Sequence, residues 1–241
     1  MFYHLGSFIL FLLIGFSLTP FNVVFSQSSE NVSVKLTAIT LSGGIKDLKY
    51  ESKGKIESLN VFNSVRSAPF DYVGRPEVVF FRELAPLSEE SEPRRQVVGK
   101  VQIPTMTGEY LVIFSKLPGS SEQYRIAVLP DSLAVFKPGM YRFINLSPHD
   151  IRIQIGTEQT IIPQYGHRDL ESRGEESKYQ NTLIVSLPDK TKFEGAKPYR
   201  IYKGSLFFSS NLRTIYIMSS IPGGRPGRVK FDTIVERIPN S

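Results

Sequence analysis

The chain of 241 residues has no cysteine, which excludes disulfides, thiolate metal sites, cysteine nucleophiles and a lipid-anchoring cysteine. At 41% hydrophobic, 12% aromatic and 22% charged it can build a real core, and its Gly and Pro are spread as single turns rather than gathered into a linker. A formal net charge of +6 draws an exported protein towards polyanions, although the cations are dispersed and solubility alone accounts for them.

Residues 1–26 carry no Lys, Arg, Asp or Glu, and residues 5–18 form an apolar run. Val24-Phe25-Ser26 places modest side chains where a signal peptidase reads. The segment reads as a secretory signal peptide cleaved after Ser26. Its basic leader is missing, and residues 5–25 are just long enough to span a bilayer, so an uncleaved anchor is the alternative. A membrane is expected as a partner only through such an anchor. The expected location is periplasmic or extracellular.

After a polar leader, residues 32–39 alternate as a first strand, and further strands are expected at 46–50, 56–62, 77–84, 97–103, 109–114 and 123–129. Residues 77–84 have an unbroken apolar centre, which implies burial on both sides. Residues 63–69 read as loop, and 88–95 as a solvated hairpin tip in which three Glu precede Arg94 and Arg95. Glu89, Glu90 and Glu92 lack the Asp-rich spacing of a calcium loop.

Pro130-Asp131-Ser132 breaks the pattern, and residues 136–162 resume it most clearly. Tyr141, Phe143 and Asn145 point one way against Arg142 and Ile144. Ser147-Pro148-His149-Asp150 turns the chain, and Ile151, Ile153 and Ile155 share a face against Arg152 and Gln154. This predicts antiparallel strands with one buried face. Residues 164–180 read as a long polar loop in which Leu170 anchors one helical turn. Strands follow at 182–187, 213–219 and 228–235, and residues 199–208 read as a strand or a bent hairpin around Gly204.

The expectation is an all-β fold of two antiparallel β-sandwich domains of immunoglobulin-like size, at 32–130 and 139–238, after the signal peptide at 1–26. One large barrel or jelly roll of the same strands is the competing fold. Tyr-Arg-apolar occurs at Tyr124, Tyr141 and Tyr199, a trace of duplication or simply the common look of a strand start.

Chemistry is harder to find. The mature chain has two histidines, His149 and His167. Ser147, His149 and Asp150 lie together, but neighbours in one turn rarely converge on a common atom, and no Gly-x-Ser-x-Gly surrounds a serine. Ligand spacing gives no zinc site, the glycines at 223–227 lack the Gly-Lys-Ser/Thr ending of a phosphate loop, and no acidic pair stands out for glycoside hydrolysis. No cofactor is expected.

The run Tyr141-Arg142-Phe143-Ile144-Asn145-Leu146-Ser147-Pro148, followed by Ile153-Gln154-Ile155-Gly156, resembles a pattern in uncharacterised exported bacterial β-sandwich proteins with a Y-R-F-x-N-x-S/T-P strand. Val79 to Glu83 and Pro93 to Val98 fit the same group. The resemblance covers residues 75–165 and implies an envelope or surface β protein, with no catalytic residues to carry over.

The leading expectation is a non-enzymatic exported module that acts by binding. Its partner would be an anionic envelope glycan or another envelope protein, with no nucleic acid expected. The densest cations, Arg94, Arg95 and Lys100 and then Arg225, Arg228 and Lys230, fall at predicted hairpin tips and are the candidate binding residues. One alternative is an envelope hydrolytic accessory enzyme using His149 or His167. Another is a carbohydrate-binding module using Tyr165, Tyr179 and Tyr202, weakened by the absence of Trp.

Cleavage after Ser26 predicts that mass spectrometry of exported protein finds a chain beginning at Gln27. An intact Met1 start recovered in a membrane fraction would identify an anchor instead.

Overall fold

The computed structural model describes residues 31–86, 93–117, 119–120, 122–171, 179–187, 199–221 and 228–239, with the backbone alone at 179–182 and 199. The described residues are all β: they contain no helix, and so none long and apolar enough to cross a membrane. The expected strands at 182–187 and 213–219 belong to longer elements, while the turns at 88–92 and 222–227 lie outside the described residues.

The first half supplies β1 (Val32–Thr40), β2 (Ile45–Ser52), β3 (Lys55–Val61), β4 (Phe70–Gly74), β5 (Glu77–Leu84), β6 (Arg94–Gln102), β7 (Thr107–Lys116) and β8 (Tyr124–Pro130). The second supplies β9 (Met140–Leu146), β10 (Ile151–Ile155), β11 (Glu158–Ile162), β12 (His167–Glu171), β13 (Tyr179–Leu187), β14 (Tyr199–Phe207), β15 (Leu212–Ser220) and β16 (Val229–Arg237). They form four sheets of four strands. In order these are S1 (β3-β2-β5-β6), S2 (β4-β1-β7-β8), S3 (β12-β9-β15-β16) and S4 (β11-β10-β13-β14).

S1 packs on S2 through alternating side chains, with Leu48, Tyr50 and Phe80 meeting Leu36, Val112 and Phe114. Phe80 and Phe114 meet edge to face at 5.1 Å. S3 packs on S4 in the same way, with Phe143, Tyr216 and Met218 against Ile151, Ile153 and Val185. These are the two expected sandwiches.

The two halves have one topology. Strands β9 to β16 occupy, in order, the places of β1 to β8, including a parallel central pair, β1 with β7 and β9 with β15. A single shift in residue number carries Ile39-Thr40-Leu41-Ser42 onto Ile144-Asn145-Leu146-Ser147 and Gly99 onto Gly204. In both copies the amide two residues on donates to the buried polar side chain, Ser42 N to Thr40 Oγ1 at 3.3 Å and Ser147 N to Asn145 Oδ1 at 3.0 Å. The Tyr-Arg-apolar triplets do not mark this repeat. They sit on β8, β9 and β14, which are not equivalent strands.

Sequence and structure part at several elements. β9 is buried on both faces, not one, and β9 and β10 belong to different sheets, so the turn at 147–150 is a crossover and not a hairpin. β4 begins directly after the expected loop at 63–69, where the sequence gives no strand signal because the element is only five residues long. β12 occupies part of the expected loop at 164–180, and Leu170 lies in that strand rather than in a helical turn. Of the two readings of residues 199–208, the single strand holds: β14 pairs along β13 through Gly204.

The sandwiches share a third apolar layer, where the outer faces of S2 and S3 meet. Ile39, Leu41, Leu111, Ile113 and Leu129 pack there against Ile144, Leu146, Ile215, Ile217 and Ile234. One end of this layer is ionic. Arg142, fully buried, donates to Asp169 through Nε and one terminal nitrogen, both at 2.7 Å, and to the Pro130 carbonyl at 2.7 Å. Arg213 donates to Glu236 at 2.8 Å and to the carbonyls of Asp131 and Phe136 at 3.1 and 3.2 Å. Arg66 bridges Asp131 and Glu236. Phe136, from the segment joining the halves, lies against both the Arg142 and Arg213 guanidiniums, at 4.3 and 5.0 Å. Burial pushes the Arg213 pKa down and Asp131 opposes the shift.

Two measurements check this arrangement. Ile153, 1% exposed, lies in the S3–S4 core, so Ile153→Asp should unfold the second sandwich by burying a carboxylate at a cost of several kcal/mol. Arg152→Ala, on the opposite face of β10, should shift thermal stability by no more than about 0.5 kcal/mol. Arg142→Met leaves Asp169 without its cation and should cost about 3–5 kcal/mol in denaturant unfolding. The double variant Arg142→Met/Asp169→Leu should recover most of that loss, because no uncompensated charge remains.

Candidate functional site

The β2–β3 connection is a two-residue hairpin turn at Lys53-Gly54, with φ of 52° and 71°. Both residues take the left-handed conformation that a type I′ turn requires, and Lys53 does so without being glycine. Tertiary bonds hold it there: Lys53 N donates to the Val73 carbonyl at 2.8 Å, and Val73 N donates to Ser52 Oγ at 3.0 Å. A second turn, between β4 and β5, is fixed by the Tyr72 hydroxyl, which donates to the Arg75 carbonyl at 2.7 Å. At Gly74 a Cβ would meet Tyr72 Oη at 2.9 Å, so a side chain there would displace the tyrosine that fixes the turn. Lys53 and Arg75 are thus presented by backbone anchored to the S2 edge.

These turns border a groove of about 640 Å³ on S1, opposite the face that packs on S2. β5 contributes Glu77, Val79 and Phe81, β6 contributes Arg95 and Val97, and Glu51 completes the wall. A register shift between Phe80 and Phe81 sets Phe81 opposite Val97, so that Val98 turns into the core while Val97 faces the groove. Val97 is 42% exposed. The Arg95 guanidinium lies over the Phe81 ring at 4.7 Å and pairs loosely with Glu51 at 3.5 Å, both side chains being half exposed. Among the described residues neither Lys53 nor Arg75 forms an ion pair.

The candidate binding residues are divided by the fold. Arg94 and Arg95 are not at a hairpin tip but open β6, and Lys100 lies further along it, paired with Glu77 at 3.2 Å. Arg228 precedes β16, and Lys230 lies within that strand, paired with Asp232 at 2.8 Å, so neither residue is on a described tip. Arg225 lies outside the described residues. β6 belongs to S1 and β16 to S3, with S2 between them, so the two clusters do not form one patch. Arg95 alone of the candidates lines the groove. The convergence of Lys53, Arg75 and Phe81 depends on turns from separate strands and leaves no local sequence signal.

The histidine turn is held together by buried hydrogen bonds to Asn145. Asn145, fully buried, donates from Nδ2 to the carbonyls of His149, Ile162 and Pro163 at 2.7, 3.2 and 3.0 Å. The Ser147 hydroxyl donates to Asn145 Oδ1 at 2.7 Å and not to an imidazole. Asp150 Oδ1 accepts the Gln164 amide at 3.2 Å. His167 opens β12, where partial burial lowers its pKa against the opposing charge of Asp169. Among the described residues no group of His, Asp and Glu could hold a metal.

The three tyrosines do not form a described row. Tyr165 is exposed beneath the Arg125 guanidinium at 4.2 Å, and Tyr202 stacks on Phe231 at 4.2 Å at the edge of the S3–S4 core. The Tyr179 side chain lies outside the description.

No family model and no curated protein matches the chain. Among solved structures it is similar to the tip fimbrial protein Mfa3 from Porphyromonas gingivalis with C-terminal truncation, at 9% identity over 86% of this chain and 100% of that one, with a TM-score of 0.19. A score that low supports no inference about function.

Proposed function

We propose that this protein is an exported, non-enzymatic β-sandwich module that binds an anionic polymer of the cell envelope. The observation that carries the reading is the groove on S1, where Lys53, Arg75 and Arg95 face two carboxylates, Glu51 and Glu77. Two of the three cations have no acidic partner among the described residues, and both sit on anchored turns. A ligand bearing negative charge would therefore meet cations whose backbone is already held in place, with little main-chain entropy left to lose. The apolar amino-terminal run supports export. The engagement of Ser147 with Asn145 favours binding over hydrolysis at the His149 turn.

Binding held by exposed cations should weaken steeply with salt, because the Debye length falls from about 10 Å at 0.1 M to about 3 Å at 1 M. Pull-down on purified envelope glycans should retain the protein at 0.1 M and release it at 1 M. Replacing Lys53, Arg75 and Arg95 together should reduce retention more than replacing Arg225, Arg228 and Lys230. Neither set should lower the melting temperature much, since exposed charges stabilise folds little. No retention at low salt, or retention indifferent to salt, would overturn the reading.

A further inference from the structure

The groove has a second property that charge alone does not use. On the solvent face of S1, Lys49, Glu51 and Glu83 are charged, yet Val79, Phe81 and Val97 make an apolar strip along the β5–β6 pair. Val97 is 42% exposed, while Phe81, at 3% exposed, floors the strip with the Arg95 guanidinium over its ring. The strip lies between the cations: Lys53 and Arg75 stand on the turn side and Arg95 on the β6 side. From this juxtaposition we infer that the groove takes a short segment of a uronic-acid-bearing polysaccharide, an inference that rests on the reading of the protein as a polyanion-binding module.

The chemistry matches in both parts. A pyranuronate has an apolar C–H face and an equatorial carboxylate, so a chain of such units alternates apolar surface with planar anions. The C–H face can lie on the Val79–Val97 strip, where burying apolar area is favourable at about 25 cal/mol per Å². The carboxylates can then reach guanidinium forks, which bind planar carboxylates through two parallel hydrogen bonds. Arg95 is free to exchange partners, because its present bond to Glu51 is 3.5 Å long and half exposed, and an exposed pair of that kind is worth little. A volume of about 640 Å³ falls within the usual range for ligand sites of roughly 300–1,000 Å³. A polyphosphate satisfies the cations but has no apolar face for the strip. A flat anionic membrane surface would not enter a recess.

The test uses the mature chain and isothermal titration with short oligogalacturonate as the probe. Carboxyl-reduced oligogalacturonate and inorganic polyphosphate of similar length are the comparisons. The expected result is that oligogalacturonate binds and the carboxyl-reduced form does not. Lys53→Ala/Arg75→Ala should weaken binding at least tenfold, and Val97→Thr, which keeps the shape but adds a hydroxyl, should weaken it several-fold. Polyphosphate should be insensitive to Val97→Thr. Lys203→Ala, on β14 of S4, should bind like the parent, and melting curves confirm that each variant is folded. Polyphosphate binding equal to oligogalacturonate, with no effect of Val97→Thr on either, would replace the sugar assignment by a phosphate site. Polyanion binding that survives both groove variants would overturn the groove while leaving the polyanion reading standing. Absence of binding to every polyanion would remove both.

Discussion

The shared layer between S2 and S3 is the constraint from which the rest of the molecule follows. A sheet that packs on both faces cannot alternate apolar with polar side chains, and β7 and β15 are accordingly buried almost throughout their centres. The layer fixes each sandwich against the other through aliphatic contacts, and its ionic end fixes their register. Burying Arg142 without Asp169 would be prohibitive; with Asp169, the Pro130 carbonyl and Phe136 around it, the guanidinium has nearly all its donors occupied. Two small sandwiches on a flexible connection would sample many orientations. Here the connecting segment itself, through Phe136 and Asp131, is part of the packed interface.

How far the sequence could be read depended on whether a residue's role was local. Alternation at Ile151, Ile153 and Ile155 reports one buried face directly, and β10 stands where that pattern puts it. The break after Pro130 is equally plain. β4 and β12 were illegible because each is short, and because His167-Arg168-Asp169 is polar enough to pass for loop. Nothing local distinguishes Arg142, buried against Asp169 across a strand pair, from an ordinary outward-facing arginine. The repeat was hidden for a related reason: it is preserved in strand order and in a few positions such as Thr40 and Asn145, while the surrounding side chains differ. The candidate site was legible only in Arg95. Lys53 and Arg75 look like unremarkable turn cations until the Val73 and Tyr72 bonds bring their turns to one rim.

The repeat also shows how a single topology can carry different surfaces. The first half turns from β2 to β3 on Lys53-Gly54, and the second turns from β10 to β11 on Gly156-Thr157. The glycine has moved within the turn and the cation is gone. Gly99 and Gly204, by contrast, keep their place in both halves, opposite Phe80 and Leu183. At Gly99 a Cβ would sit 2.8 Å from the Tyr124 carbonyl, so the close approach of β6 to β8 tolerates no side chain there. Framework positions are held in common while the rim residues diverge.

The parallel pairing of β1 with β7 has a kinetic consequence. As the chain leaves a ribosome or a translocation pore, β1 appears first, but its two sheet neighbours, β4 and β7, follow only after intervening strands that belong to the other layer. Residues such as Val34 and Leu36 must wait, exposed, until most of the repeat has been delivered, and β9 must likewise wait for β15. Loop-closure entropy is lost before these distant contacts can offset it, which places the protein among slow, high-contact-order folders. Its most aggregation-prone moment is therefore the interval in which β1 is out and β7 is not, a window in which a holding chaperone would have the most to protect.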